Sequence, residues 1–287
     1  MRNIKLVQPS TLSEAVSLLT QEGDEAKIIA GGTALVIMLR NNLISPTVLL
    51  SLGRLPDLRY IRHEPGVGLR LGSLVTIRDA ERSDLVREKH PTLASTFGKV
   101  GNIRVRNAAT VGGNLSEADY ASDPPCVLVA LRAKAKAVSV QGERAIPLAE
   151  FFKGFYETAL KPDEILTELI VPDLAPRSRS VYLKYVSRSS EDRPCVGMAA
   201  LLDTDVDGTC KELRLVAGAV AETPQHFASA GGLACGKRLT DELIKEIAEA
   251  CAAEAEPLSD LRGSAWYRKQ IIGVLARRAM QRISADQ

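Results

Sequence analysis

Ile28-Ile29-Ala30-Gly31-Gly32-Thr33 and, about eighty residues on, Ala109-Thr110-Val111-Gly112-Gly113-Asn114 share one grammar. In each, an apolar or β-branched lead-in runs into a Gly-Gly step and ends on a small polar side chain. A Gly-Gly step lets the backbone turn its N–H groups outward and admits a ligand with no Cβ in the way. Successive outward N–H groups form an anion-binding concavity. Two such concavities facing each other suit the two phosphates of a pyrophosphate, and so predict a dinucleotide site. The site is not of the Rossmann kind. The nearest approach to G-x-G-x-x-G is Gly66-Val67-Gly68, with Leu71 where the third glycine belongs, and no G-x-x-x-x-G-K-[ST] occurs.

Working outward, the 287 residues are enough for two domains and a sizeable core, with 45% hydrophobic residues. A net charge of +2 and scattered Lys and Arg give no polyanion-binding field, and 4% aromatic content argues against stacking platforms for single strands, so nucleic-acid binding has no support. No apolar run reaches the length of a transmembrane helix. The N-terminus, Met1-Arg2-Asn3-Ile4-Lys5-Leu6, leads straight into patterned sequence, and a cytoplasmic location is the default expectation. The five cysteines (Cys126, Cys195, Cys210, Cys235, Cys251) lie far apart with no C-x-x-C, as reduced thiols do. His63, His90 and His226 are isolated from one another and from other ligand residues, so no metal site is expected. With no G-x-S-x-G elbow either, a dinucleotide site without a nucleophile, base or metal implies that the cofactor carries the chemistry.

The local pattern alternates helix and strand. Thr11 and Glu14 form a capping box ahead of Leu12, Ala15, Val16 and Leu19, and Gly23 ends that helix. Strands are predicted at 27–30, 47–52, 58–63, 68–77, 135–140 and 166–171, and helices at 34–40, from Thr76 onward, at 91–100 and at 126–130. The stretch 101–114 reads as loop. After a linker at Pro172-Asp173-Leu174-Ala175-Pro176, three antiparallel strands (181–188, 196–203, 210–219) and two helices (241–254, 265–284) predict a small α+β domain.

These residues, taken in order, resemble the flavin-binding medium subunit of the molybdenum hydroxylases, the family of the carbon monoxide dehydrogenase medium subunit and the xanthine dehydrogenase FAD domain. The resemblance runs from Thr11-Leu12-Ser13-Glu14-Ala15-Val16-Ser17-Leu18-Leu19 through both Gly-Gly segments. It continues through Asp123-Pro124-Pro125 and Glu164-Ile165-Leu166 to Trp266-Tyr267-Arg268. It implies an α+β fold: a two-subdomain FAD-binding domain like that of vanillyl-alcohol oxidase over 1–175 (subdomains about 1–56 and 57–175), then a C-terminal domain of three antiparallel strands plus helices over 176–287. It also implies a non-covalent FAD, since no histidine stands near either turn.

On this resemblance Ala30, Gly31, Gly32, Thr33, Ala34, Thr110, Gly112, Gly113 and Asn114 cradle the cofactor, with the pyrophosphate between the turns. Asp123 reaches the sugar or ribityl hydroxyls, and Leu166 lies near the isoalloxazine ring. Glu191-Asp192-Arg193-Pro194-Cys195 matches the loop that shields the flavin ring, with Arg193 where relatives often carry an aromatic or other ring-contacting side chain. An arginine there can stack on the ring or favour the reduced anion, though a solvated side chain is the plainer reading. Thr33 and Asp123 equally suit helix caps, and Arg104 and Arg106 a solvated loop. No inserted iron–sulfur cluster fits the scattered cysteines.

The expected function is an electron-transfer flavoprotein subunit. A large molybdopterin subunit oxidises the substrate, a small subunit relays electrons through [2Fe-2S] clusters, and the whole forms a dimer of heterotrimers. The alternatives are a self-contained flavin oxidoreductase, which needs a base over the flavin, and a non-catalytic nucleotide-binding module, which would purify colourless.

Overall fold

Thr11 shows how closely local chemistry follows the sequence. In the computed structural model, which describes residues 4–284, its hydroxyl accepts from the Glu14 N–H at 3.1 Å. Glu14 reaches back to the Ser10 N–H at 2.7 Å. The helix so capped, α1 (Leu12–Glu22), follows β1 (Lys5–Val7) and precedes β2 (Ala26–Ile29), α2 (Leu35–Arg40) and β3 (Val48–Ser51). β1 and β2 both pair parallel to the central β3. Ala15, Val16 and Leu19 of α1 close over this sheet in one apolar cluster with Leu50, Leu52, Leu58 and Leu74.

The next stretch carries β4 (Ile61–Glu64), β5 (Gly68–Gly72), α3 (Ile77–Arg82), α4 (Asp84–Lys89), α5 (Pro91–Phe97), α6 (Ile103–Ala108), α7 (Val111–Glu117) and α8 (Asp123–Ala130). It ends with β6 (Lys134–Ser139), β7 (Gly142–Pro147), α9 (Leu148–Phe151), the ribbon β8 (Phe152–Gly154) and β9 (Glu157–Thr158), and β10 (Ile165–Val171). Its antiparallel sheet runs β4-β5-β10-β6-β7. β10 is the partition. Neighbouring strand residues point to opposite faces, so Ile165 joins the first cluster while Leu166 joins a second one, with Leu69, Leu71, Phe97 and Val111. Each such fully buried aliphatic side chain contributes about 1.5–3 kcal/mol, which fixes the sheet between the first subdomain and the helices.

The rest consists of β11 (Arg179–Tyr185), β12 (Val196–Thr204), β13 (Cys210–Gly218), β14 (Gln225–His226), α10 (Ala228–Gly232), α11 (Asp241–Glu254) and α12 (Ala265–Ser284). The four strands form one antiparallel sheet in chain order. The helices α11 and α12 share a third apolar cluster with it, around Met198, Leu215, Ile247 and Ala276. No helix among the described residues is long and apolar enough to cross a membrane.

Three differences from the sequence reading matter. The 101–114 stretch is two short helices, α6 and α7, capped by the side chains of Asn102 and Thr110. Their residues are too few to show helical periodicity, and the glycines read as turn. The edge strand β7 escaped because only Ile146 of its residues is buried, so it has no alternation to read. A two-residue strand, β14, is added to the three that were predicted in the last sheet.

Candidate cofactor site

The first Gly-Gly segment leaves the parallel sheet at the end of β2 and enters α2. Gly32 adopts φ of +69°, a conformation open to glycine and strained for other residues. The turn aims its carbonyls into the helix: Val36 N–H donates to Gly32 at 3.0 Å and Met38 N–H to Ala34 at 3.1 Å. The N–H groups of Gly31, Gly32, Thr33 and Ala34 therefore point the other way, and none of them donates to any group among the described residues. Residues Ala30 to Ala34 are all half-buried. Thr33 was expected to cap α2, but the cap position is Ala34 and no side chain serves it. The Thr33 hydroxyl is thus left beside four unpaired backbone donors. A run of donors with no acceptor of its own is what a phosphate group requires, so these residues fit the pyrophosphate of FAD.

The second segment is different. Thr110 is the N-cap of α7, and its hydroxyl accepts from Gly113 N–H at 3.0 Å. Val111 N–H donates to Val75 at 2.9 Å, Gly112 N–H to Ser73 at 2.9 Å and Asn114 N–H to Thr110 at 2.9 Å. Every N–H from Val111 to Asn114 is satisfied by the protein, so this stretch is the first turn of a helix and not an anion concavity. Gly112 is needed for packing: a Cβ there would lie 2.5 Å from Ser73 Cβ. The expectation of two matched concavities is corrected to one.

The segments do meet. A Cβ on Gly31 would stand 1.9 Å from the Ala108 carbonyl oxygen and 3.0 Å from Ala109 Cα. The first turn therefore rests directly on the chain leading into the second. The Thr76–Thr110 bridge and the Ile77 N–H bond to Ala109, at 2.8 Å, fix that chain to the edge of α3.

Asp123 opens α8 and is buried, with both oxygens engaged. Tyr182 OH donates to Oδ1 at 2.6 Å and Lys184 Nζ to Oδ2 at 3.0 Å. Burial pushes the Asp123 carboxyl up, against the pull of Lys184 and Tyr182. It does not act as a side-chain cap. Asn114 exchanges hydrogen bonds with Ser122, at 2.9 and 3.2 Å, which links α7 to the start of α8. Leu166 is 5% exposed within the second apolar cluster. Arg193 is not free in solvent: its Nε lies 2.6 Å from Asp119 Oδ2. Arg106 is a staple, bound to Glu81 at 3.0 Å and to the Gly101 carbonyl at 2.8 Å, whereas Arg104 is exposed.

Lys184, Tyr182 and Asp119, the partners of Asp123 and Arg193, were missed from the sequence, because each pair is joined only by the tertiary fold. Elsewhere a cleft of about 290 Å3 opens between α1 and the large sheet, lined in part by Thr11, Leu58, Tyr60, Lys136 and Glu168. None of the predicted site residues lines it. There Arg70 grips Glu168 through two 2.7 Å bonds, and Tyr60 donates to the same carboxylate. Among the described residues no cluster of three or more potential ligands could hold a metal ion.

Comparison with known proteins places the chain as a whole. Residues 2–174 match the model of the FAD binding domain in molybdopterin dehydrogenase, and residues 181–283 that of the CO dehydrogenase flavoprotein C-terminal domain. The glyceraldehyde dehydrogenase medium chain of Sulfolobus acidocaldarius is 32% identical over 278 residues, 97% of each chain. The 6-hydroxypseudooxynicotine dehydrogenase complex subunit alpha of Paenarthrobacter nicotinovorans is 31% identical over 96% of this chain and 92% of its own. Among solved structures, a chain of the carbon monoxide dehydrogenase from Hydrogenophaga pseudoflava superimposes with a TM-score of 0.93 at 31% identity, covering 97% of this chain and 96% of that one.

Proposed function

The chain belongs to the family of FAD-binding subunits of the molybdopterin dehydrogenases, and on that premise we propose that it is the electron-transfer flavoprotein subunit of a molybdenum hydroxylase complex. It binds FAD and is a component of an oxidoreductase. The observation that carries the finer reading is the row of unpaired N–H groups from Gly31 to Ala34, in a chain whose fold matches a flavoprotein subunit along almost its whole length.

In this proposal the four N–H groups and the Thr33 hydroxyl hold the pyrophosphate. Ala30 follows directly on β2, the strand that presents them. The turn rests on Ala108 and Ala109, and Thr110, Gly112, Gly113 and Asn114 continue that chain behind it as the start of α7. Asp123 orients Lys184 and Tyr182 across the junction with the last sheet, and Leu166 packs from beneath. Arg193, held by Asp119, covers the open side and limits access of water. FAD bound there supplies a centre that accepts electrons and passes them on. The attachment is non-covalent, and the division between the FAD-binding and C-terminal domains falls at Pro172–Pro176.

The partners are a small subunit with [2Fe-2S] clusters, which delivers the electrons, and a large molybdopterin subunit, where the organic substrate is oxidised. The complex is a dimer of such heterotrimers. Two relatives of equal similarity are named for chemically unrelated substrates, glyceraldehyde and a hydroxylated pyridine alkaloid, and a structural neighbour for carbon monoxide. A shared flavin subunit across such substrates supports the choice of substrate being made on another chain.

The test compares the purified chain alone with the three-subunit complex. The chain alone should be yellow, release FAD and not FMN into acid supernatant, and reduce artificial acceptors only when supplied with electrons by the small subunit. Full oxidation of the complex's substrate by this chain alone would make it a self-contained flavoenzyme.

A further inference from the structure

Arg268, in the first turn of α12, is the largest fully buried side chain among the described residues, at 0% exposure. A buried guanidinium is costly unless its donors are met, and three of its nitrogens are. Nε donates to the Cys195 carbonyl at 3.1 Å, Nη1 to the Leu258 carbonyl at 2.6 Å and Nη2 to Asp260 Oδ1 at 2.6 Å. The other Asp260 oxygen accepts from Tyr120 OH at 2.7 Å and from Arg262 Nη1 at 2.9 Å.

Followed onward, these contacts close on themselves. Tyr120 is bonded along the chain to Asp119, whose Oδ2 holds Arg193. Asp119 is itself fixed, because its Oδ1 accepts from Ala121 N–H at 3.1 Å. Arg193 returns through Pro194 to Cys195, whose carbonyl Arg268 holds. Cys195 N–H also donates to the Tyr185 carbonyl at 2.8 Å, which closes the base of the 186–194 segment. The circuit Arg268–Cys195–Pro194–Arg193–Asp119–Tyr120–Asp260–Arg268 thus spans the last helix, the flavin-shielding segment and the chain that follows α7.

We infer that Arg268 is a positioning residue for the flavin site, setting the place of the 186–194 segment and of the Arg193 guanidinium through this closed circuit. The inference rests on the reading of Glu191-Asp192-Arg193-Pro194-Cys195 as the cover of the bound flavin. The hydrogen bonds of Arg268 reach the covering loop only at its last residue, through the Cys195 carbonyl. It acts through the Cys195 carbonyl on one side and through Asp260 and Tyr120 on the other. The Asp119–Arg193 pair is the accessible link, since the Arg193 side chain is 54% exposed. The bond of Arg268 to Cys195 is buried, and those of Asp260 to Tyr120 and Arg268 are half-buried. Opening the circuit at any link should free the same segment, so the effects of opening it at two links should not multiply.

The test uses the full-length chain, with and without FAD, and the variants Asp119→Asn, Tyr120→Phe, Arg268→Lys and the double variant Asp119→Asn/Tyr120→Phe. The first reading is the rate of trypsin cleavage after Arg188, which is exposed within the segment, against cleavage after Arg54 in the remote first subdomain. The second is quenching of bound-FAD fluorescence by iodide. Each single variant should raise Arg188 cleavage about tenfold, as a local opening would, with Arg54 cleavage unchanged. The double variant should be no faster than the faster single one. Iodide quenching should rise in parallel.

Multiplying effects in the double variant, or equal gains at Arg54, would overturn the circuit. Faster Arg188 cleavage with unchanged quenching would overturn the role at the flavin. Asp119→Asn removes the charge that holds Arg193, and Tyr120→Phe removes the hydroxyl that joins Asp260 and Arg262; both leave the three bonds of the buried guanidinium in place, so the result stands even where Arg268→Lys does not fold. The cleavage arm is read equally in the FAD-free chain, which separates failure of the circuit from failure of FAD binding itself.

Discussion

The two Gly-Gly segments are near twins in sequence and opposites in structure. In the first, the glycines open the backbone to a ligand: Gly32 takes a positive φ, and the N–H groups from Gly31 to Ala34 are unpaired among the described residues. In the second, the glycines close the backbone on the protein: Gly112 lies against Ser73, and every N–H from Val111 to Asn114 is bonded internally. The difference arises from what precedes each step. Thr110 stands at a helix start where its hydroxyl takes up Gly113 N–H, whereas Ala30 follows the end of β2 and brings no side-chain acceptor. A Gly-Gly step shows only that a Cβ is excluded, and the flanking residues decide whether ligand or protein fills the space.

If that division of labour holds, substitutions in the two segments should separate stability from cofactor binding. The largest effect is expected for Gly112→Val, which forces side-chain atoms into Ser73. Overpacking of this kind should lower folding stability by about 3 kcal/mol, read from the urea midpoint, while the molecules that remain folded bind FAD with unchanged affinity. Loss of FAD by a Gly112 variant of normal stability would erase the contrast.

Gly32→Val tests the other half. A β-branched residue at positive φ is strained by about 1–3 kcal/mol, and relief of that strain turns the N–H row away. The FAD dissociation constant should rise roughly a hundredfold, or about 2.7 kcal/mol, in a fluorescence titration. The urea midpoint should fall less than in Gly112→Val. Retention of FAD at wild-type affinity would show that this turn is not the cradle.

Proton uptake provides a third separation. His90 is buried with neither ring nitrogen hydrogen-bonded, and burial lowers its pKa to about 4. The unfolded chain, with an ordinary imidazole, binds more protons between about pH 4 and 6.5. The stability that His90 gives by staying neutral is therefore present above about pH 6.5 and is lost as the pH falls towards 4, with about 2 kcal/mol gone by about pH 5. His90→Leu should flatten that slope. The backbone donors of the first turn do not titrate, so FAD affinity of the folded chain should stay level from pH 8 to 5.5. Affinity that falls in step with stability would tie the cradle to the titrating core.

The smallest pair of effects is the sharpest. Thr110→Ala removes a cap and should cost about 1 kcal/mol of stability with no change in FAD affinity. Thr33→Ala removes a hydroxyl that caps nothing, and should weaken FAD by about fivefold, or about 1 kcal/mol, at unchanged stability. Thermal melts and titrations of both variants read the crossing directly, and the same outcome for both would remove the distinction.

Much of the fold was legible wherever one side of an element meets the core. The two long helices of the last domain appear at 241–254 and 265–284, as their apolar spacing required. The capping box at Thr11 also stands as read, and the helix read at 126–130 is present but starts three residues earlier, at Asp123. The site was legible as a place more than as a mechanism. Its glycines were visible because sterics restrict what can replace them. The unequal use of their N–H groups was not, because Val75, Ser73 and Thr110 reach the second segment only in three dimensions. The same holds for Asp119 and Arg193, and for Asp260 and Arg268: charges of opposite sign are common in any sequence, and only the packed chain shows which ones meet.

The central claim, that one segment is open for FAD and the other is occupied by the protein, is tested most directly by amide hydrogen exchange on the full-length chain with and without FAD. Without FAD, the N–H groups of Gly112, Gly113 and Asn114 should already be protected and those of Gly31, Gly32, Thr33 and Ala34 should exchange freely. Adding FAD should slow the first-turn amides by about tenfold or more and leave the second segment nearly unchanged. Protection that appears at Gly112 and Gly113 on adding FAD, with Gly31 to Ala34 unaltered, would contradict the account.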